Sequence, residues 1–143
     1  MKNVLIINGP NLNMLGKRPK EHYGSLTLDE INELIIKENN NYFNLDFYQS
    51  NYEGDIVTKI QDAVLGKYDA IIINPAAYTH TSVAIHDALE MFNGPKLEVH
   101  LSHVDKREAF RRINFVRDVT LKCFSGEKEA SYTQAIAYLK NIL

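Results

Sequence analysis

Four short, mostly apolar runs rich in β-branched residues each stop at turn formers. They are Val4 to Ile7 before Asn8-Gly9-Pro10, Ala70 to Ile73 before Asn74-Pro75, Lys96 to Leu101 before Ser102, and Val119 to Phe124 before Ser125-Gly126. Leu45 to Tyr48 makes a weaker fifth. Successive side chains of a strand point to opposite faces, so a run with no polar alternation needs cover on both sides. That requirement predicts a sheet sandwiched between two other layers.

Helical patterns supply those layers. Thr27-Leu28-Asp29-Glu30 reads as a capping box, in which the threonine hydroxyl and Glu30 satisfy each other's backbone amides. Leu28, Ile31, Leu34, Ile35 and Glu38 then keep a helical period up to Asn39-Asn40-Asn41. Asp55 is expected to cap a second helix, with Ile56, Ile60, Ala63 and Val64 on one face and Gly66 closing it. Ser82 opens a third, with Ile85, Ala88, Leu89 and Phe92 inward and Gly94-Pro95 as the stop. A short helix is expected over Lys106 to Arg112, and a last one from Ser131 with Tyr132, Ala135, Ile136 and Leu139 inward.

Strands alternating with helices form right-handed βαβ units over a parallel sheet. Five strands predict an α/β three-layer, flavodoxin-like sandwich with strand order 2-1-3-4-5. At 143 residues this is a single domain, residues 1–143, and a chain of that size buries roughly 70% of its unfolded surface without a staple. Gly9 to Gly24 is the one long stretch without a pattern, and such loops are usually functional or disordered.

Charge narrows the partners. Sixteen Lys and Arg against 18 Asp and Glu are scattered, with no basic stripe for nucleic acid or an anionic membrane. Cys123, the only cysteine, reads as a small core residue of a reducing compartment. No run approaches the roughly 18 apolar residues of a membrane span, and the N-terminal apolar run is too short for a signal peptide. A cytoplasmic location is expected.

In an open parallel sheet, ligands bind beyond the carboxyl ends of the strands, where the strand order reverses. Strands 1, 3 and 4 are neighbours in the predicted order, so Asn8-Gly9-Pro10-Asn11, Asn74 through Ser82, and Glu98 through Ser102 should converge there. Glu98 and His100 are two apart and share a strand face. A carboxylate beside an imidazole favours its protonated form and sets its tautomer, which suits a general acid. The bland alternative is a surface ion pair, and the place at the end of a central strand weighs against it. A free phenol, with pKa about 10, is a poor base at neutral pH unless a cation stabilises the phenolate, and Arg18 is the cation five residues from Tyr23. Spacing alone equally allows Tyr23 to pack the loop down. His80 can bind a ligand hydroxyl or its own turn. Asn11 and Asn74 can be ligand-facing amides or turn residues, and one of Arg107, Arg111 and Arg112 is expected to face the crevice.

Certain chemistries lack their motif. No Gly-x-Gly-x-x-Gly follows a strand and no Gly-Lys-Ser/Thr appears, so a nucleotide phosphate has no usual cradle. There is no Gly-x-Ser-x-Gly elbow. Glu98, His100 and His103 can imitate a metal set, but His100 and His103 diverge if the strand continues. The expectation is an enzyme without metal or cofactor.

The motifs Asn8-Gly9-Pro10-Asn11-Leu12-Asn13-Met14-Leu15-Gly16, Arg18 and Tyr23-Gly24 resemble the opening signature of type II 3-dehydroquinate dehydratases. Asn74 to Ser82, Glu98 to Ser102 and Arg107 to Arg111 are similar to the family's later motifs, in the same order. The resemblance spans nearly the whole chain and implies cofactor-independent dehydration of 3-dehydroquinate to 3-dehydroshikimate through an enolate. It implies Tyr23 as base beside Arg18, Asn11 holding a water for the enolate oxygen, and His100, oriented by Glu98, as acid. It also implies the amides of Leu101 and Ser102 on the substrate carboxylate, and Asn74, His80 and Arg111 on its hydroxyls. Asp87 matches a residue that reaches a neighbouring subunit's site, within a homo-dodecamer built as a tetramer of trimers.

The chain departs from that pattern at Pro19-Lys20, where the family has Glu-Pro, and at His103, where asparagine is common. It departs again at Asn114-Phe115, where Ser-Tyr is usual, and at Phe124 to Ser131, which replaces a glycine-rich run. A rival reading is a flavodoxin-like ligand-binding module without catalysis, but Asn8-Gly9-Pro10-Asn11 is neither a Ser/Thr-rich phosphate loop nor an acidic cluster.

Overall fold

Each apolar run becomes a strand in the computed structural model, which describes residues Met1–Leu143. In chain order the main elements are β1 (Asn3–Asn8), α1 (Lys20–Tyr23), α2 (Leu28–Asn39), β2 (Asn44–Gln49), α3 (Glu53–Val64), β3 (Ala70–Asn74), α4 (Val83–Glu90), β4 (Lys96–His100), β5 (Lys122–Ser125) and α5 (Ala130–Ile142). The strands form one parallel sheet in the order β2-β1-β3-β4-β5.

The missing alternation in β1 and β3 has a direct cause. Val4 and Ile6 pack with Ile31 and Ile35 of α2 and Ile136 and Leu139 of α5. Leu5 and Ile7 point the other way, into Ile56 and Ile60 of α3 and Ile85 and Leu89 of α4. Both faces of the central strands are therefore dry. No helix is long and apolar enough to cross a membrane.

The capping box forms as expected. Thr27 Oγ1 accepts the Glu30 amide at 3.2 Å, and Glu30 accepts the Thr27 amide at 3.0 Å. Ser82 Oγ likewise accepts the Ile85 amide at 2.9 Å. The other helix starts differ. α3 begins two residues before Asp55, with Ser50 Oγ accepting the Tyr52 amide at 2.9 Å, so Asp55 lies in the first turn. There its charge still favours the helix N-terminus. α5 begins at Ala130, and Ser131 is buried, accepting the Glu127 amide at 3.1 Å.

β5 starts at Lys122 rather than at Val119, because Arg117–Val119 form a 3-10 turn. Val116 and Val119 pack on the α3/α4 side of the core, so their apolar character anchors a loop. The segment Lys106 to Arg112 is likewise no single helix: it forms 3-10 turns at Val104–Lys106 and Ala109–Arg112, with Arg107 and Glu108 between them. Within Gly9 to Gly24, a 3-10 turn over Leu12–Met14 and the short α1 give structure, and buried Leu12 and Leu15 tie the stretch to the core.

Asn8 and Asn74 are register partners at the ends of β1 and β3. The Gly9 amide donates to the Asn74 carbonyl at 2.8 Å, and a Cβ on Gly9 would meet the Pro75 carbonyl oxygen at 2.4 Å. Only glycine allows this approach. Beneath it the Tyr132 hydroxyl donates to Asn8 Oδ1 at 2.5 Å and accepts from Asn74 Nδ2 at 2.9 Å. Tyr132→Phe should lower stability by about 1–3 kcal/mol by stranding these amides. Urea unfolding measures it, and an unchanged midpoint would show that the amides pair without the phenol.

Candidate active site

Strand ends and loops meet in one half-enclosed cleft of about 120 Å³. Asn11 from the loop after β1, Asn74 and His80 from the segment after β3, and His100, Leu101 and Ser102 from the end of β4 all line it. Arg18 and Tyr23 close it from the long loop, and Arg107 and Arg111 from the turns after β4.

Tyr23 is largely buried, and its hydroxyl oxygen receives Arg18 Nη2 and Arg107 Nη1, each at 2.7 Å. Arg18 also lies over the ring, 3.7 Å from its centroid. Burial pushes the Arg18 guanidinium down from its ordinary value, the positive charges of Arg107 and Arg111 act the same way, and Tyr23 opposes them. A guanidinium nonetheless stays charged at neutral pH. No carboxylate lines the cleft alongside these three arginines; exposed Glu108 pairs from outside it with Arg111 at 2.9 Å and Arg107 at 3.7 Å, and three guanidiniums against that one carboxylate still favour an anionic, oxygen-rich ligand.

Another wall is built around His100, whose Nε2 meets Glu98 Oε2 at 2.5 Å, with Nδ1 bonded to nothing in the chain. Glu98 is fully buried. Burial alone would push its carboxyl up, but His100, Arg117 and Asn114 outweigh that and hold it at about 2. His80 is pushed down by burial and by the neighbouring His100 and Arg111, against the Ile113 carbonyl that its Nδ1 contacts at 2.6 Å. A neutral imidazole donating through Nδ1 keeps Nε2 as an acceptor. His80 thus bonds a distant loop rather than its own turn.

The backbone amides of Leu101 and Ser102 donate to no carbonyl of the chain, and both residues face the cleft. Asn11 sits in the left-handed region at φ 69°, with its amide donating to Asn51 Oδ1 at 3.0 Å. Asn74 spends one side-chain donor on Tyr132 and its oxygen on the Ala76 amide at 3.0 Å. Asp87 lies outside the cleft, exposed on α4 and contacted by His86 Nδ1 at 2.9 Å.

Of the three arginines after β4, Arg107 and Arg111 face the cleft and Arg112 is exposed, so the expectation of a single cleft-facing residue falls short by one. Arg107 lies between the two 3-10 turns and Arg111 within the second. Arg117 and Asn114, which bind Glu98, carry no motif that distinguishes them in the sequence. Pro19 opens α1, accepting the Tyr23 amide at 3.2 Å, and this turn carries Tyr23 to Arg18. Lys20 is exposed and does not line the cleft.

Ligand atoms of Glu98, His100 and Cys123 lie within 4.8 Å of one another, but the donors suit a metal poorly. Both Glu98 oxygens are engaged, and burial with the Glu98 charge pushes the Cys123 thiol up to about 11. A metal would need the thiolate. His103 is exposed, with its ring over Gly126, away from this set.

A family model described as Dehydroquinase class II matches residues 2–140. The chain belongs to the class II dehydroquinase family. A relative from Clostridium botulinum (strain 657 / Type Ba4) named 3-dehydroquinate dehydratase is 46% identical, covering 100% of this chain and 97% of its own. Another of that name, from Francisella tularensis subsp. novicida (strain U112), is 51% identical over 93% of this chain and 90% of its own. The crystal structure of a type II dehydroquinase from Butyrivibrio crossotus DSM 2876 superposes with a TM-score of 0.92 at 41% identity, over 96% of this chain and 97% of that one. The five-stranded order and flanking helices are thus those of a class II dehydroquinase.

Glu98 makes stability pH-dependent. Its folded value of about 2 lies below the ordinary 4.5, so its contribution is complete above pH 4.5 and disappears as pH falls toward about 2. The difference, at about 1.4 kcal/mol per pH unit, is on the order of 3 kcal/mol. Urea midpoints between pH 6 and pH ~2 should therefore fall more steeply for wild type than for Glu98→Gln. Parallel curves would show that the carboxylate is not held as described.

Proposed function

We propose that this chain is a hydro-lyase that dehydrates 3-dehydroquinate to 3-dehydroshikimate, a step of the shikimate pathway, with no cofactor. The observation that carries the reading is the phenol oxygen of Tyr23 held between two guanidiniums in a cleft that His100 also lines. Two fixed cations stabilise a phenolate, and a phenolate is a competent base for a weakly acidic α-proton.

Tyr23 takes the proton from C2, and the electron pair moves onto the C3 carbonyl oxygen as an enolate. Asn11 holds a water that donates to that oxygen. The enolate then re-forms the ketone, making the C1–C2 double bond as the C1–O bond breaks. His100, oriented by Glu98, gives its proton to the departing hydroxyl, which leaves as water. Solvent then returns the base and the acid to their starting states.

The unengaged amides of Leu101 and Ser102 suit the substrate carboxylate, and Asn74, His80 and Arg111 suit its ring hydroxyls. Exposed Asp87, outside its own cleft, fits a role at the site of an adjoining copy in a homo-oligomer, assembled as a dodecamer of four trimers in the cytoplasm. A binding module without catalysis has no use for the paired guanidiniums on a phenol.

Purified protein mixed with 3-dehydroquinate should develop conjugated-enone absorbance. Tyr23→Phe should lower turnover by about 10²–10⁴-fold, the usual contribution of a general base. Arg18→Ala and Arg107→Ala should each lower it by at least about tenfold, since each removes one phenolate donor. A near-normal rate for Tyr23→Phe would refute the assigned base. His100→Ala should block elimination while solvent deuterium still enters at C2, and loss of both together would refute the division of roles.

A further inference from the structure

Glu98 binds more than the catalytic imidazole. Its Oε2 receives His100 Nε2 at 2.5 Å and Asn114 Nδ2 at 2.7 Å, and its Oε1 receives Arg117 Nε at 2.8 Å. The two added donors come from one turn. Asn114 Oδ1 accepts the amides of Val116 and Arg117, both at 2.9 Å, so the side chain that touches Glu98 also folds the loop that returns Arg117 to it. Val116, fully buried, anchors that loop in the core.

We propose that Arg117 is a positioning residue for proton donation by His100, acting through Glu98, with Asn114 setting its loop. This rests on the reading of His100 as the acid. A buried carboxylate facing a single imidazole makes a tight ion pair in a medium of low dielectric, and the imidazolium in such a pair releases its proton reluctantly. A second cation on the other oxygen shares the carboxylate's charge. It also fixes carboxylate rotation, so that Oε2 is the oxygen that meets the ring. Glu98 then orients His100 without overholding its proton.

The surroundings suit this balance. Arg117 has a side chain 46% exposed, so its charge remains partly solvated. Cys123 of β5 keeps its proton at neutral pH and adds no charge, and His80, the imidazole that faces both His100 and Glu98 from the segment after β3, is pushed down by burial toward its neutral form. Asp105 is the other acidic residue acting on Arg117.

The test compares Arg117→Ala, Arg117→Gln and Arg117→Lys in the full chain by kcat, KM, the pH profile of kcat and solvent deuterium entry at C2. The Ala and Gln variants should lose about tenfold in kcat, part of the 10²–10⁴ that a general acid contributes, with KM changed less than about twofold. Their descending limb of kcat should move to higher pH by about one unit, because the acid holds its proton longer. Exchange at C2 should stay at the wild-type rate, and Lys should restore at least half of kcat. An active wild type whose Ala and Gln variants keep both kcat and the pH profile overturns the inference alone. So does a set of variants in which none folds, since Arg117 then serves folding. A wild type that forms no enone overturns the proposed function together with it.

Discussion

The ends of β1 and β3 are joined in a dry layer by one phenol. Tyr132 sits between Asn8 and Asn74, fully enclosed, and burial pushes its own hydroxyl up so that it remains a neutral bridge. Helix α5 is thereby tied to the two central strands at the level where the chain turns into its functional loops. Gly9 allows the loops above to approach closely, and Asn74 shapes the turn into Ala76. The cleft floor is consequently a hydrogen-bonded platform beneath the side chains that line the cleft.

Above that floor the charges are segregated. Guanidiniums of Arg18, Arg107 and Arg111 line the cleft, while Glu108 pairs with Arg111 and Arg107 from outside it and Glu98 lies behind His100 in the sheet. Solvent-free placement would be costly for a lone carboxylate, and donors from three residues compensate for it. The result is an anion-attracting cavity with a phenol at one wall and an imidazole at another. The phenol and the imidazole thus sit in distinct surroundings, as the proposed division into base and acid requires.

Much of the scaffold was legible because burial on both sheet faces leaves a plain signature. Val4 to Ile7 and Ala70 to Ile73 permit no polar alternation, and Thr27 with Glu30 caps its helix using atoms three residues apart. Misreadings arose where side chains served a distant partner. Val119 reads as strand but anchors a loop beside Val116, Ser131 reads as the start of its helix but lies enclosed one residue inside it, and Asp55 lies past the start of its helix. The edge strand β2, less buried than β1 and β3, carries the weaker pattern.

Local periodicity and turn chemistry determined the layered α/β order and brought Asn11, Asn74, His80, Glu98 and His100 to one edge of the sheet. A strand's direction and its place in the order are enough for that. Tertiary structure alone decided that Arg107 would share the Tyr23 oxygen with Arg18, and that Arg117 would close on Glu98. Those contacts span 84 and 19 residues, and an arginine in a loop has no periodic signal to show which way it turns. Its place is set by the 3-10 turns beside it and by the amides that Asn114 gathers, and neither exists until the chain has folded.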